Sequence, residues 1–302
     1  MAVGVDKRKY LRPETVALLN SMSLRARLVV EGYIIGHHRS PYHGFSVEFA
    51  EHRSYGPGDE IKHIDWKLFG KTDRLYVKRY EEETNLRAHI ILDTSKSMLY
   101  SSAEVSKLSY ANSLAASLSY LMINQQDAVG IAKFSEKIDT FIPPKARPSH
   151  LNLILSQLDD KDSGNDTQIG MVLHELADRI KKRGMVILIS DLLDKPENIM
   201  KGLKHFRHQN QEVIVFHIKD RKESEFDFNT RTKFFDMETG EEIVTEPWHI
   251  RSNYNELISK LESNYKSNCR ENLIDYVPLF TDQSLDIGIT AVSYTHLTLP
   301  TS

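Results

Sequence analysis

The chain has 302 residues, with 40% hydrophobic and 27% charged residues and a formal net charge of −3. That size and balance suit an ordinary globular protein of one large or two modest domains, and exclude collagen-like, low-complexity and disulfide-framework classes. Charge is uneven: residues 1–80 carry 14 Lys/Arg against 9 Asp/Glu, the remainder 25 against 33. The basic excess is unclustered and has no aromatic ladder, so no nucleic-acid partner is expected. The single cysteine, Cys269, leaves no internal disulfide and no cysteine zinc site. No apolar run reaches the roughly 20 residues of a membrane helix, and the N-terminus has no apolar core of a signal peptide. A cytoplasmic location is expected, either free or peripheral to a membrane complex.

Residues 12–35 read as a helix, with Pro13 in its first turn and apolar positions from Val16 to Val30. Residues 36–87 are rich in Gly, His, aromatic and charged residues. Strands are predicted at 46–51 and 74–80, with the turn signal Gly56-Pro57-Gly58-Asp59 between them. From residue 88 strands and helices alternate. Strands are predicted at 88–93, 128–134, 185–190 and 212–218, and helices at 104–124, 150–158, 169–182 and 196–208. A hairpin over 232–246, a helix over 250–268 and a strand over 273–279 follow. Continuously apolar strands separated by helices predict a mostly parallel sheet covered on both faces, a doubly wound α/β fold. The domain reading is 1–87 for the N-terminal helix and β-containing segment, 88–290 for the α/β domain, and 291–302 as a tail. That tail, including Ser293-Tyr294-Thr295-His296-Leu297, carries no Asp, Glu, Lys or Arg and resembles a translated cloning sequence. It is left out of the fold reading, with the native sequence taken to diverge near Thr290 within a helix beginning at Ser284.

The candidate chemistry sits on Asp93-Thr94-Ser95-Lys96-Ser97, directly after the apolar strand Ala88–Leu92. One carboxylate and two hydroxyls are hard ligands, suited to Mg²⁺ and too few to fill its shell. Ligands in a doubly wound sheet gather at the C-terminal ends of neighbouring strands. Asp191 follows the strand 185–190, and Thr167 lies in the polar loop before the helix at 169. Each residue also has a plainer reading. Asp191 could cap the helix near Pro196, Thr167 or Asp166 could cap the helix at 169, and the serines could satisfy turn amides. Three loops at one sheet edge offering only oxygen favour a metal.

Asp93, Ser95, Ser97, Thr167 and Asp191, in that order on β/α alternation, resemble the metal-ion-dependent adhesion site of von Willebrand factor A-type domains. The resemblance implies that these five bind Mg²⁺ or Mn²⁺, with a carboxylate from a protein partner completing the shell. Further upstream, Arg53, Tyr55 and Asp59 in Arg-Ser-Tyr-Gly-Pro-Gly-Asp, then Asp65, Trp66 and Lys67 in Ile-Asp-Trp-Lys, resemble the bacterial family called domain of unknown function 58. That resemblance covers about residues 30–290 and implies a sheet of von Willebrand factor A type and work with a MoxR-type AAA+ ATPase. Arg53, Asp59, Asp65, Trp66 and Lys67 are expected to form a buried polar network with Trp66 as its apolar anchor; a docking surface is the second reading. Five histidines in this block, His37, His38, His43, His52 and His63, show no zinc-ligand spacing. The resulting expectation is an Mg²⁺-dependent binding module without enzymatic activity. A metal-dependent phosphoesterase or hydrolase is the alternative, disfavoured because Asp-x-Ser replaces Asp-x-Asp and no nucleophile elbow, P-loop or zinc-protease helix is present. A scaffold with a vestigial metal loop is the third reading.

Overall fold

The computed structural model describes residues 13–17, 21–37, 49–54, 56, 66–80, 86–159, 169–235 and 242–297. They fall into two compact units: residues 39–85, and residues 1–38 together with 86–302.

In the smaller unit, β1 (Phe49–Ser54) pairs antiparallel with β2 (Tyr76–Tyr80), and Arg53 lies opposite Val77. A helix the sequence did not predict, α3 (Trp66–Thr72), lies between them in the chain. No residue of α3 is buried, and Trp66 is 59% exposed with its ring edge-on to Phe69 at 6.1 Å. The expected role of Trp66 as a buried anchor is therefore wrong. Among the described residues its indole has one ring contact, with Phe69 in the same seven-residue helix.

The N-terminal helical residues belong to the larger unit, which corrects the grouping of 1–87 into one domain. Two helices are described, α1 (Pro13–Ala17) and α2 (Met22–His37). Met22, Ala26, Val29 and Val30 recur at helical spacing, are all buried, and join the core around α4 (Lys107–Asn124).

The larger unit is built on a six-stranded sheet. Its members are β3 (Arg87–Asp93), β4 (Ala128–Phe134), β5 (Ile138–Lys145), β6 (Met185–Ser190), β7 (Glu212–Lys219) and β10 (Ile274–Phe280), in spatial order β10-β7-β6-β3-β4-β5. Only β5 runs antiparallel. Cover on both faces explains why the central strands hold unbroken apolar runs, Ile90–Leu92 in β3 and Met185–Ile189 in β6. Ile90 and Leu92 of β3 with Ile187 and Ile189 of β6 join one core, under α2, α4, α5 (Pro148–Asp159) and α10 (Asp286–Leu297). Ile91, Val186 and Leu188 join the other, under α6 (Ile169–Arg179), α7 (Pro196–His208) and α9 (Pro247–Glu271). A short helix α8 (Arg221–Glu225) follows β7, and a hairpin of β8 (Thr232–Phe235) and β9 (Glu242–Thr245) precedes α9.

The antiparallel β5 was not predicted from sequence. Pro143 and Pro144 argue against a strand interior, yet an edge strand tolerates them. They stand opposite Gly130, where the register shifts; a Cβ there would meet the Ile142 carbonyl oxygen at 2.5 Å. The other edge strand, β10, carries Pro278. The final helix runs through the segment set aside in the sequence reading: Val292, 2% exposed, shares the core of Ile289 and Leu285.

The chain moves from β3 to β4 on one side and returns to β6 on the other side of β3. The crevice beyond the C-terminal ends of β3 and β6 is therefore the switch point of the sheet, where doubly wound folds bind ligands.

Candidate functional site

β3 delivers Asp93 as its last residue, fully buried at the switch point. The loop beyond it is pinned by Thr94, whose amide and hydroxyl both donate to the Phe134 carbonyl at the end of β4, at 2.8 and 2.9 Å. Pinning Thr94 turns its neighbours inward. Asp93 Oδ1 accepts the Ser95 amide at 2.9 Å, and the Ser95 and Ser97 hydroxyls lie 3.0 Å apart, both buried. A 3₁₀ turn over Lys96–Leu99 carries Ser97.

β6 contributes the opposite wall. The Ser190 hydroxyl donates to Asp93 Oδ2 at 2.6 Å and accepts the Leu192 amide at 2.9 Å. Leu192 takes the left-handed conformation, φ 55°, which turns the chain sharply after Asp191. Asp191 is 5% exposed. Its Oδ2 accepts from Lys107 Nζ at 2.8 Å, and its Oδ1 has no hydrogen-bond partner among the described residues. Lys107 is the first residue of α4, 1% exposed, and also donates to Glu223 Oε2 at 3.0 Å. At the end of β7, Asp220 caps α8 and accepts from the amide and hydroxyl of Ser102.

Electrostatics follow from burial. Asp93 is pushed up to about 7, first by desolvation and then by repulsion from Asp191, against the opposing bonds from Ser190 and Ser95. Burial disfavours the Lys107 ammonium, but Asp191 and Glu223 outweigh it and hold the group protonated above its ordinary range. His217 on β7 is pushed down to about 4 by burial first and Lys219 second, and its Nδ1 faces the Tyr276 hydroxyl at 2.6 Å. The centre is thus two buried carboxylates, one lysine, three buried serines and one bare carboxylate oxygen. That donor set of hard oxygens fits a small divalent ion. Among the described residues no group of three or more His, Cys, Asp or Glu side chains is placed to share an ion, so the fit depends on the hydroxyls.

Of the five residues expected from sequence, the structure brings Asp93, Ser95, Ser97 and Asp191 to one sheet edge; Thr167 lies outside the described residues. Of the second group, Arg53 is in β1, and Trp66 and Lys67 open α3, both exposed. Tyr55, Asp59 and Asp65 lie outside the described residues. Sequence reading missed Ser190, Lys107 and Glu223. Lys107 had a legible signal. It is the only charged residue in the 18-residue α4, and it stands at the end where the helix dipole disfavours a cation.

Among the described residues no helix is long and apolar enough to cross a membrane. Residues 51–263 match the family described as protein of unknown function DUF58. An uncharacterized protein of Mycobacterium tuberculosis is 24% identical over 216 residues, covering 70% of this chain and 68% of that protein. A Mycobacterium bovis protein, also uncharacterized, matches to the same extent. Among solved structures, an aerotolerance-related membrane protein from Bacteroides fragilis is similar in fold, with TM-score 0.50 and 18% identity, over 71% of this chain and all of that one. BatB from Bacteroides thetaiotaomicron matches 70% of this chain with TM-score 0.47 and 19% identity.

Proposed function

The chain belongs to the DUF58 family of proteins of unknown function, and we propose that it is a binding module that grips a protein partner through a divalent ion at the β3–β6 edge. The observation that carries this reading is the buried Asp191 Oδ1, which no donor among the described residues satisfies, one strand away from the fully buried Asp93. A buried carboxylate oxygen without a partner costs free energy unless something supplies positive charge. Asp93, Ser95, Ser97, Thr167 and Asp191 would hold Mg²⁺ or Mn²⁺. When bound, the ion offers an open position to an Asp or Glu of the partner.

The doubly covered sheet, with the site at the C-terminal ends of its central strands, supports reading the larger unit as a von Willebrand factor A type domain. The family resemblance supports a MoxR-type AAA+ ATPase as partner, at a cytoplasmic site or beside a membrane complex. The reading is of binding without turnover. Asp93 is committed to Ser95 and Ser190, and the buried His217 is neutral and engaged with Tyr276. Affinity capture with and without chelator tests it: an AAA+ ATPase retained with Mg²⁺ and released by chelator is the expected result. Calorimetry that finds equal Mg²⁺ affinity in wild type and Asp93→Ala would sink the metal assignment.

A further inference from the structure

Lys107 gives Asp191 an asymmetry. Its ammonium occupies Oδ2 at 2.8 Å, while Oδ1 stays buried and bare among the described residues. A carboxylate held this way presents one oxygen to an ion. Turning both oxygens toward an ion would strip Lys107 of its nearest anion. The lysine is 1% exposed, and an ammonium that loses one of its two anionic partners in such a place pays for it. Glu223, 3.0 Å away, anchors the ammonium from the other side and so resists its withdrawal. Asp93 is fixed differently, with a donor on each oxygen, the Ser95 amide on one and the Ser190 hydroxyl on the other.

The common divalent ions differ in what they ask of a carboxylate. Ca²⁺ takes 6–8 oxygens in flexible geometry and accepts bidentate carboxylates. Mg²⁺ demands near-octahedral single oxygens and uses one or two carboxylates with water. We propose that Lys107 is a positioning residue that locks Asp191 into presenting one oxygen, and thereby biases the site toward Mg²⁺ and against Ca²⁺. The proposal rests on the metal-binding reading above and adds ion selectivity to it. A lysine that merely neutralised buried charge would leave that selectivity untouched.

Calorimetric titration of the full chain with Mg²⁺ and with Ca²⁺, on wild type, Lys107→Met and Lys107→Arg, tests this. Wild type should bind Mg²⁺ the more tightly. The Mg²⁺-to-Ca²⁺ affinity ratio should fall on the order of tenfold in Lys107→Met, as for other residues that orient a ligand from behind. Lys107→Arg, which keeps a donor for Asp191, should retain most of the ratio. Wild type binding Ca²⁺ as tightly as Mg²⁺ overturns the proposal without any variant having to fold. An unchanged ratio in a Lys107→Met protein with native melting behaviour also overturns it, while leaving the metal site standing. Wild type that binds neither ion overturns the metal reading, and the proposal with it.

Discussion

Asp191 and Asp220 hold equivalent places and lead different lives. Each is the residue directly after a parallel strand, β6 and β7, and each is buried, at 5% and 1% exposure. Asp220 is satisfied on both oxygens. Oδ1 accepts the amides of Lys222 and Glu223, and Oδ2 accepts the amide and hydroxyl of Ser102. Asp191 has Lys107 on one oxygen and, among the described residues, no donor on the other. The lesson is that position alone does not define a ligand. The same strand-end slot yields a rivet where donors are supplied and, on the metal-binding reading, a socket where the described residues supply none.

The comparison predicts opposite phenotypes. The largest effect concerns the socket. At Mg²⁺ about 100 times Kd, wild type should gain about 2.7 kcal/mol in urea unfolding, and Asp93→Ala should gain nothing. An equal gain in both would end the distinction. Next comes the rivet. Asp220→Ala removes a helix cap and orphans the Ser102 donors. It should cost about 2 kcal/mol of metal-free stability and leave the Mg²⁺ gain intact. If that gain disappears as well, the two aspartates are one network. Smaller still is Ser97→Ala, which should weaken Mg²⁺ binding by about 1 kcal/mol, roughly fivefold, read by calorimetry.

The last effect is an acid slope that should be independent of the socket. His89 on β3 is pushed down to about 4, by burial first and Arg87 second. Its ring is neutral in the fold, whereas the unfolded chain takes a proton near its ordinary value of about 6.5. Stability from this group is therefore complete above about 6.5 and is lost as pH falls toward 4. Urea midpoints between pH 7 and pH 4.5 should fall less steeply in His89→Gln, with or without Mg²⁺. A variant slope identical to wild type would remove His89 from the account.

Much of the sheet was legible because its central strands are buried on both faces and so read as unbroken apolar runs: Ile90–Leu92, Val186–Ile189, Val213–Phe216. The strand-end rule then placed Asp93 and Asp191 at one edge. What stayed hidden depended on contacts distant in sequence. Lys107 meets Asp191 and Glu223 across separations of 84 and 116 residues, and its lone charge at the start of α4 does not say which carboxylates it meets. The apolar stripe of α2 showed that something must cover it, but not that α4 would. Trp66 misled because size suggests burial, while burial depends on what the surrounding seven-residue helix can reach.

The prolines on the outermost strands bear on how a neighbouring chain could add to this sheet. An edge strand offers its open backbone to any neighbouring chain, and proline withdraws the donor such pairing needs. Pro143 and Pro144 on β5 and Pro278 on β10 each remove one backbone donor from an outermost strand of the sheet. A partner that borrowed a rim would be chosen by backbone alone and could propagate from copy to copy. On the binding reading proposed above, fewer donors at the rims favour one-to-one encounters at the loop-bearing end, where side chains decide who binds.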